Sequence, residues 1–568
     1  MVSPNLTKKQ ESSFDVDLDI KRLFQIVYTE KNNLNKSKNK EANISVSTMG
    51  SKLAFFYEKL RNAVDYDDDY LLRKNAIKRI LKRQILIEGV IKKSESEDIS
   101  SHLLTELIQA GYLPNNSIPE KKIYEIGEII DKYIKLKYYS FQKESFFSIL
   151  SESFGFRNKR KRTSKAKKIL INWVISLAAA EIEENLSEDS VKKEMVSKMF
   201  EILKDNIKIP RDLPFENDLD VQIYLSICRN FLRYDNDLLN LIAFKYYNKN
   251  WKKADDDKII KISEKIDKLY LAVSNQLKHP LIKQVDKIVK SYSLYFSILR
   301  EAIDENPLKV YEFAVSNYKA FMSFIKEISQ RRYKKIRKKL WSSGWRSIIY
   351  IFLTKSIFVF ALEIPAIKFF GEQLNPISLS INVAFPAVLL FAMILFTWSP
   401  AKENEKKILE GIEEIVFTEK RQKYSMILRK PAKRSFFMDF VFNLLYITGF
   451  SITIYFIIKG LTLIDFNWVN ITIFLFFLTF VSFFSFRIKR ETKRFIIVEH
   501  KDGFISFLFD FFYMPIVATG KFLSDNVSRI NIFIFILDFI IEAPFKVFVE
   551  IFDDWVKYVK ERKEDLIN

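Results

Sequence analysis

Residues 331–367 read RRYKKIRKKLWSSGWRSIIYIFLTKSIFVFALEIPAI, and this stretch decides the fold class that the sequence predicts. Its first part, 331–346, carries eight bases and no acid, and its second part, 347–367, is an apolar run. At ~1.5 Å per residue, a helix of about 20 residues crosses the ~30 Å of a bilayer's hydrocarbon core. The pattern therefore predicts a membrane-spanning helix with a positively charged flank in the cytoplasm.

Three further apolar runs have a similar length: 376–398, 436–458 and 468–486. The loops after the first and third runs contain one base each, Lys368 and Lys459. By contrast, 399–435 and 487–494, which follow the second and fourth runs, are rich in Lys and Arg. By the positive-inside rule this alternation predicts a four-span region at 341–490 with both termini cytoplasmic.

The chain before the first span is polar or amphipathic. Residues 1–50 are polar and lack the apolar core of a signal peptide, so we expect a disordered lead-in that stays in the cytoplasm. Residues 51–340 show apolar side chains three and four positions apart, as in helices, with a break near 208–215. The predicted fold is therefore all-α: a polytopic α-helical membrane protein with a large N-terminal cytoplasmic helical-bundle domain.

Residues 491–568 form an amphipathic or re-entrant, membrane-associated region in this interpretation. The stretch DFIIEAPFKVFVEIFDDW, 538–555, has a charge at every fourth position, which a helix would place along one line. With the apolar segment 503–520 it either lies on the cytoplasmic leaflet or forms a hairpin of two further spans. The sequence leaves both arrangements open.

Charged residues inside apolar runs are the candidate functional residues. Lys355 and Glu363 lie eight positions apart in the first span and share a helix face. They form either a packed pair or, with Asp538 and Glu542, the polar lining of a transport path. The candidate intramembrane polar residues are Lys355, Glu363, Asp538, Glu542, Lys546 and Glu550. The apolar runs 376–398 and 468–486 offer no complementary ion-binding set in this interpretation.

The net charge of +21 indicates an anionic partner surface. Anionic lipid headgroups are the partner we expect, because the densest bases flank the first span. The candidate headgroup contacts are Arg331, Arg332, Lys334, Lys335, Arg337, Lys338 and Lys339. A second basic run, 157–168, is interpreted as a solvated loop, with contact to anionic lipid as the alternative. No nucleic-acid-binding module surrounds it, so nucleic acid is not the expected partner.

Local catalytic and cofactor motifs are absent from the sequence. The twelve glycines are dispersed, so no phosphate-binding glycine loop can be written, and HExxH, CxxC and GxSxG do not occur. One cysteine and three widely separated histidines do not suggest a metal site. We therefore expect no cofactor, no metal and no catalytic residue, and favour a non-enzymatic role; a membrane enzyme stays an open alternative, because catalytic residues scattered over helices leave no local motif.

Two stretches resemble uncharacterised polytopic membrane proteins of candidate-phylum bacteria with small genomes. They are LLRKNAIKRILKRQILIEG with LIQAGYLPNNSIPE, and the C-terminal stretch that runs from FDFFYMPIVATG to DDWVKYVKERKE. The resemblance implies a bacterial inner membrane as the location, but no activity and no functional residue. We expect a non-enzymatic membrane anchor or scaffold that presents its helical domain to a protein partner or to a second copy. The alternative is a channel or transporter component that uses the intramembrane charges.

Overall fold

The computed structural model describes most of the chain. It covers 15–36, 43–46, 69–86, 96–141, 159–187, 189–211, 213–396, 402–420, 426–430, 435–493, 496–497, 504–529, and the single residues 55, 58, 551, 555, 558 and 559. Nearly all of these residues are helical. Within this part the strands are β1 (Ile207–Lys208) and β2 (Met426–Ile427), which pair in parallel. The all-α prediction is confirmed.

The first half of the chain contains ten of the α-helices that the structure describes. They are α1 (Leu18–Lys36), α2 (Asp69–Leu86), α3 (Ser96–Gln109), α4 (Lys121–Phe141), α5 (Lys159–Leu186), α6 (Ser190–Asn206), α7 (Leu219–Asn230), α8 (Asn236–Tyr247), α9 (Asp256–Ser263) and α10 (Ile266–Leu277). The second half contains α11 (Ile282–Glu305), α12 (Pro307–Ser316), α13 (Tyr318–Phe358), α14 (Ile364–Phe369), α15 (Pro376–Phe396), α16 (Lys402–Val416), α17 (Phe436–Thr462), α18 (Trp468–Lys493) and α19 (Phe504–Arg529).

The described residues divide into two compact units. We call 26–289 with 426–429 the N-terminal helical unit, and 15–25 with 290–420 and 430–529 the apolar-helix unit. The division falls near 289–290, whereas the sequence placed a boundary at 340–341. The reason is that α13 packs on α16, with Tyr318 donating to Glu413 at 2.8 Å.

The N-terminal helical unit has its own apolar core. The predicted face of α3 is buried, with Leu103, Leu104 and Leu107 fully enclosed against α4. The aromatic residues Trp251 and Phe244 are also fully buried, with their rings 4.9 Å apart and edge to face. The periodicity of the sequence therefore identified a real core.

Bases on α2 pair with acids from other helices of the same unit. Arg73 contacts Glu183 at 2.6 Å, and the buried Lys74 pairs with Asp235 and with Asp237, the latter at 3.0 Å. Buried charge is costly unless it is paired and hydrogen-bonded, and these pairs provide both. The positive charges of Arg73 and Lys74 are therefore neutralised by acids inside the unit.

The first helix differs from the expected disordered lead-in. α1 begins at Leu18, and its Ile20, Leu23 and Phe24 are buried. Just before it, Val16 bridges to Phe417 in the apolar-helix unit. These apolar residues recur three and four positions apart within an otherwise polar segment, which composition alone hides.

The predicted spans 347–367, 436–458 and 468–486 lie within described helix, and the span 376–398 is described as helix as far as Phe396. Two helical stretches, Tyr318–Phe369 and Phe436–Thr462, are long and apolar enough to cross a membrane. Shorter apolar stretches are Pro376–Ala392, Trp468–Phe483 and Phe511–Leu523. These lengths support membrane association.

The helix α19 packs antiparallel along α18. Tyr513 donates to the carbonyl of Ser482 at 3.2 Å, and Gly520 lies against Thr479, so the residue numbers of the two helices run in opposite directions. A Cβ atom on Gly520 would lie 2.0 Å from the Thr479 carbonyl oxygen. Pro515 lies inside α19, which continues to Arg529. The two helices therefore touch backbone to backbone.

We expect Gly520→Ala to destabilise the protein by about 1–3 kcal/mol, because the added methyl group overpacks a rigid backbone contact. The matched control is Gly460→Ala in α17, where nothing lies within 4 Å of the new Cβ. Alanine there should be neutral or stabilising by up to about 1 kcal/mol. The measurement is thermal unfolding of the purified full chain in detergent, and equal midpoints for the two variants would contradict the α18–α19 contact.

Candidate functional site: a buried polar cluster among apolar helices

The structure brings Lys355 and Glu363 together. Lys355 Nζ lies 3.3 Å from Glu363 Oε2, and both side chains have no exposed surface. The prediction that they share a face holds in this geometry. Two opposite charges enclosed by apolar helices must be neutralised mutually, because neither reaches water.

A π-helical turn at Val359–Glu363 separates the two charges and explains how they meet. In a regular α-helix, residues eight apart are offset by about 80° after two full turns. A π turn closes with a longer hydrogen bond, here from Ile364 N–H to the Val359 carbonyl, and turns less per residue. Pro365 follows immediately and lacks the N–H that a regular helix would use, which favours this irregular winding.

Two asparagines from neighbouring helices complete the cluster. Asn382 of α15 donates through Nδ2 to Glu363 Oε1, and the same nitrogen lies 3.5 Å from the main-chain carbonyl oxygen of Asn470 in α18. Both asparagines are fully buried. Sequence reasoning missed them when it found no complementary set in these runs. The signal in the sequence was the amide side chain itself. Burying an amide in an otherwise apolar run is costly unless it has a hydrogen-bond partner.

Aromatic rings surround the ammonium group of Lys355. Its Nζ lies 4.0 Å from the centre of the Phe477 ring and 5.4 Å from that of Phe358. The face of an aromatic ring carries partial negative charge and attracts a cation. The ammonium is therefore shared between one carboxylate and two rings.

The cluster has more hydrogen-bonding capacity than the ion pair uses. In the described part of the chain, Asn382 Oδ1, Asn470 Oδ1 and Asn470 Nδ2 are buried and have no hydrogen-bond partner. Buried polar atoms in folded proteins are nearly always paired, so several unpaired ones beside a charge pair mark a place where a polar ligand could bind.

The other predicted residues fall into two groups. Asp538, Glu542, Lys546 and Glu550 lie outside the described residues, and so does the stretch 530–550. In the basic flank, Arg331 pairs with Glu305 at 2.9 Å and Arg332 with Glu301 at 3.4 Å. The remaining flank bases are exposed and form no ion pair within the described chain: Lys334, Lys335, Arg337, Lys338 and Lys339.

The second basic run has a different structure from the one expected. Residues 159–168 form the first turns of α5 and not a loop. The exposed Lys168 lies on this helix. The run has regular helical structure because it leads without a break into the apolar, buried part of α5.

The N-terminal helical unit contains a charged cleft of about 840 Å³. Glu181 at its floor accepts hydrogen bonds from Tyr133 at 2.6 Å and from Trp251 at 2.8 Å, and pairs with Lys132 at 3.1 Å. Burial alone would raise the pKa of Glu181, but Lys245, Lys132 and these hydrogen bonds hold it below its usual value. Lysines and acids line the cleft in equal number, so its charge does not select a ligand class.

Among the described residues, no three His, Cys, Asp or Glu side chains are grouped as metal ligands would be. No family model, curated protein or solved structure matches the chain. Its function must therefore be argued from the cluster itself.

We expect Lys355→Met and Glu363→Leu each to destabilise the protein by about 3–5 kcal/mol, because each leaves one buried charge without its partner. The double variant should recover most of that loss, since two apolar side chains need no neutralisation. SDS-induced unfolding of the purified full chain measures all three variants. Additive losses in the double variant would show that the two side chains do not interact.

Proposed function

We propose that this chain is a polytopic membrane protein with cytoplasmic termini, and that its buried polar cluster is the site of an ion or small-solute transporter or channel component. The observation that carries the proposal is the Lys355–Glu363 pair, fully buried and flanked by unpaired amide atoms of Asn382 and Asn470. Ionisable residues inside membrane helices are costly and typically mark ion or solute pathways. Anchoring alone requires no such group.

The membrane assignment is supported by the outer surface of the apolar helices. Phe436 and Phe456 of α17 expose 90% and 67% of their surface. An apolar face of this length is covered by lipid or by another protein. Directly before the first span, the five unpaired flank bases that begin at Lys334 fit anionic headgroups of the cytoplasmic leaflet.

The packing of α19 along α18 favours a crossing over a surface position for the segment that begins at Phe504. Because the two helices run antiparallel, α19 would carry the chain back toward the outer side, as in the hairpin alternative. At about 1.5 Å per residue, its 26 residues are long enough to span the hydrocarbon.

Cysteine labelling tests this topology. In a Cys228→Ser background, we expect Ser524→Cys to react with a membrane-impermeant thiol reagent in intact cells, as Thr462→Cys does at the outer side. Glu419→Cys serves as the inner control and should react only after the cells are opened. Protection of Ser524→Cys in intact cells would place α19 at the cytoplasmic surface and reduce the number of spans.

Flux measurements test the transport proposal. We expect proteoliposomes with the purified chain to dissipate an imposed Na⁺ or K⁺ gradient, read with an internal pH dye and a potential dye. Glu363→Gln should lower the rate at least about tenfold, because it removes the one acid that the described residues contribute to the cluster. Asp439→Asn is the matched control, since it makes the same change on an exposed position of α17. Flux equal to that of empty liposomes, or an unaffected Glu363→Gln, contradicts the proposal.

A second candidate function is a non-enzymatic anchor or scaffold. The observation that favours it is the N-terminal helical unit, which has its own core and exposes Tyr124 and Tyr138 with 59% and 62% of their surface accessible. Exposed tyrosines suit contacts with a protein partner or a second copy. If the flux experiment fails while the topology holds, the anchor remains the supported function.

A further inference from the structure

We propose that the N-terminal helical unit contains a groove that binds peptides in extended conformation, and that the loop segment 426–429 is its resident, exchangeable ligand. In chain order this segment lies between α16 and α17 of the apolar-helix unit, yet it packs as part of the N-terminal helical unit. The proposal goes beyond the transport function and does not depend on it.

The strand β1 binds the main chain of the segment. In the parallel pair of β1 and β2, Ile207 lies opposite Met426 and Lys208 lies opposite Ile427. One residue further along, the Leu428 N–H donates to the Lys208 carbonyl at 2.9 Å. A strand with free main-chain groups at its edge accepts another extended segment in this way, largely independently of the sequence of that segment.

Gln284, in the first turn of α11, binds the next residue of the segment. Its amide nitrogen donates to the Arg429 carbonyl at 2.8 Å, and its amide oxygen accepts from the Arg429 N–H at 2.8 Å. The side-chain amide therefore makes the two hydrogen bonds that a residue of a neighbouring strand can make. Gln284 contacts the backbone of the ligand at this position, while the Arg429 residue itself is exposed.

One side chain of the segment anchors it. Leu428 keeps 2% of its surface exposed, whereas Ile427 exposes 67% and Arg429 is also exposed. Removing a leucine side chain from water is strongly favourable, so this residue contributes most of the hydrophobic stabilisation of so short a segment. The groove therefore fits an extended peptide with a large aliphatic residue at this position and imposes little on the residues beside it.

The small size of the contact makes the ligand exchangeable. β1 and β2 have two residues each, and a two-stranded pair of this length is not stable by itself. Ordering the backbone of each residue costs free energy comparable to the net gain from one main-chain hydrogen bond. The docked and released states of the segment are therefore close in free energy, and a competing peptide can displace it.

Peptide binding to the purified full chain in detergent tests the proposal. The probe is a fluorescent acetyl-MILRK-amide, which repeats residues 426–430, and the readout is its anisotropy. In the wild-type chain the tethered segment competes with the probe at a high effective concentration. We expect Leu428→Asp, which removes the anchor of the resident segment, to bind the probe at least about tenfold more tightly than the wild type.

Matched changes separate the groove from attraction by charge alone. Ile427→Asp introduces the same charge at the exposed neighbouring position and should leave the affinity for the probe within about twofold of the wild type. A second probe, MIDRK, has aspartate in place of leucine and should bind the Leu428→Asp chain at least about tenfold more weakly than MILRK. Gln284→Leu, added to Leu428→Asp, should weaken MILRK binding about tenfold, because two hydrogen bonds are lost.

A disulfide lock tests the groove without Leu428→Asp, in case that variant does not fold. In a Cys228→Ser background, Lys208→Cys and Ile427→Cys occupy paired positions of β1 and β2, and both native residues are exposed. Oxidation should hold the segment in the groove and abolish binding of the MILRK probe. Reduction of the same sample should restore it.

Three results would overturn the proposal. They are equal MILRK binding by the oxidised and reduced chains, a folded Leu428→Asp chain that binds MILRK no better than the wild type, and equal binding of the MILRK and MIDRK probes. Failure of the cysteine pair to crosslink would also contradict the docking of the segment on β1. Because ion flux enters none of these measurements, the transport function is tested separately.

Discussion

The need to neutralise a charge inside an apolar helix bundle governs the organisation of the apolar-helix unit. Lys355 and Glu363 have no access to solvent, so each requires the other. The two charges meet on one helical stretch because of the π turn at Val359–Glu363. The second carboxylate oxygen of Glu363 accepts a hydrogen bond from Asn382 on α15. Asn382 in turn contacts the backbone of α18 at Asn470. One ion pair thus fixes the register of three helices that are otherwise held by non-directional apolar contacts.

The two units solve the problem of buried charge differently. In the N-terminal helical unit, Lys74 is buried but its partners Asp235 and Asp237 keep 33% and 20% of their side chains exposed, so water shares the cost. Glu181 is nearly enclosed, yet every contact it makes is a donor or a base. The cluster at Glu363 has neither advantage, since water is excluded and several amide atoms lack partners. Within the described residues, it combines a buried ion pair with buried amide atoms that lack the usual hydrogen-bond partner.

Much of the architecture can be predicted from the sequence, because helix formation and apolar character depend on the average properties of many consecutive residues. The all-α class and the apolar helices come from periodicity and run length. The spacing of Lys355 and Glu363 places both charges on one helical stretch, but their contact also depends on the π turn. Single-residue effects were the ones missed. Asn382 and Asn470 barely change the mean hydropathy of their runs, although each is decisive locally. The π turn depends on Pro365 acting together with a distant partner, and no local pattern encodes that combination. The helical structure of α1 was hidden by its polar composition.

The long helix α13 has a mechanical consequence. It runs without interruption for 41 residues, from Tyr318 past the row of exposed bases to the polar cluster at Lys355. A continuous helix is stiff in torsion, because every turn is closed by hydrogen bonds to the next. At 1.5 Å per residue, Lys339 and Lys355 lie about 24 Å apart along this helix. A rotation of the helix about its axis therefore moves both side chains together. The π turn at Val359–Glu363 is the first place where the helix can change its twist, because regular α-helical hydrogen bonding is interrupted there.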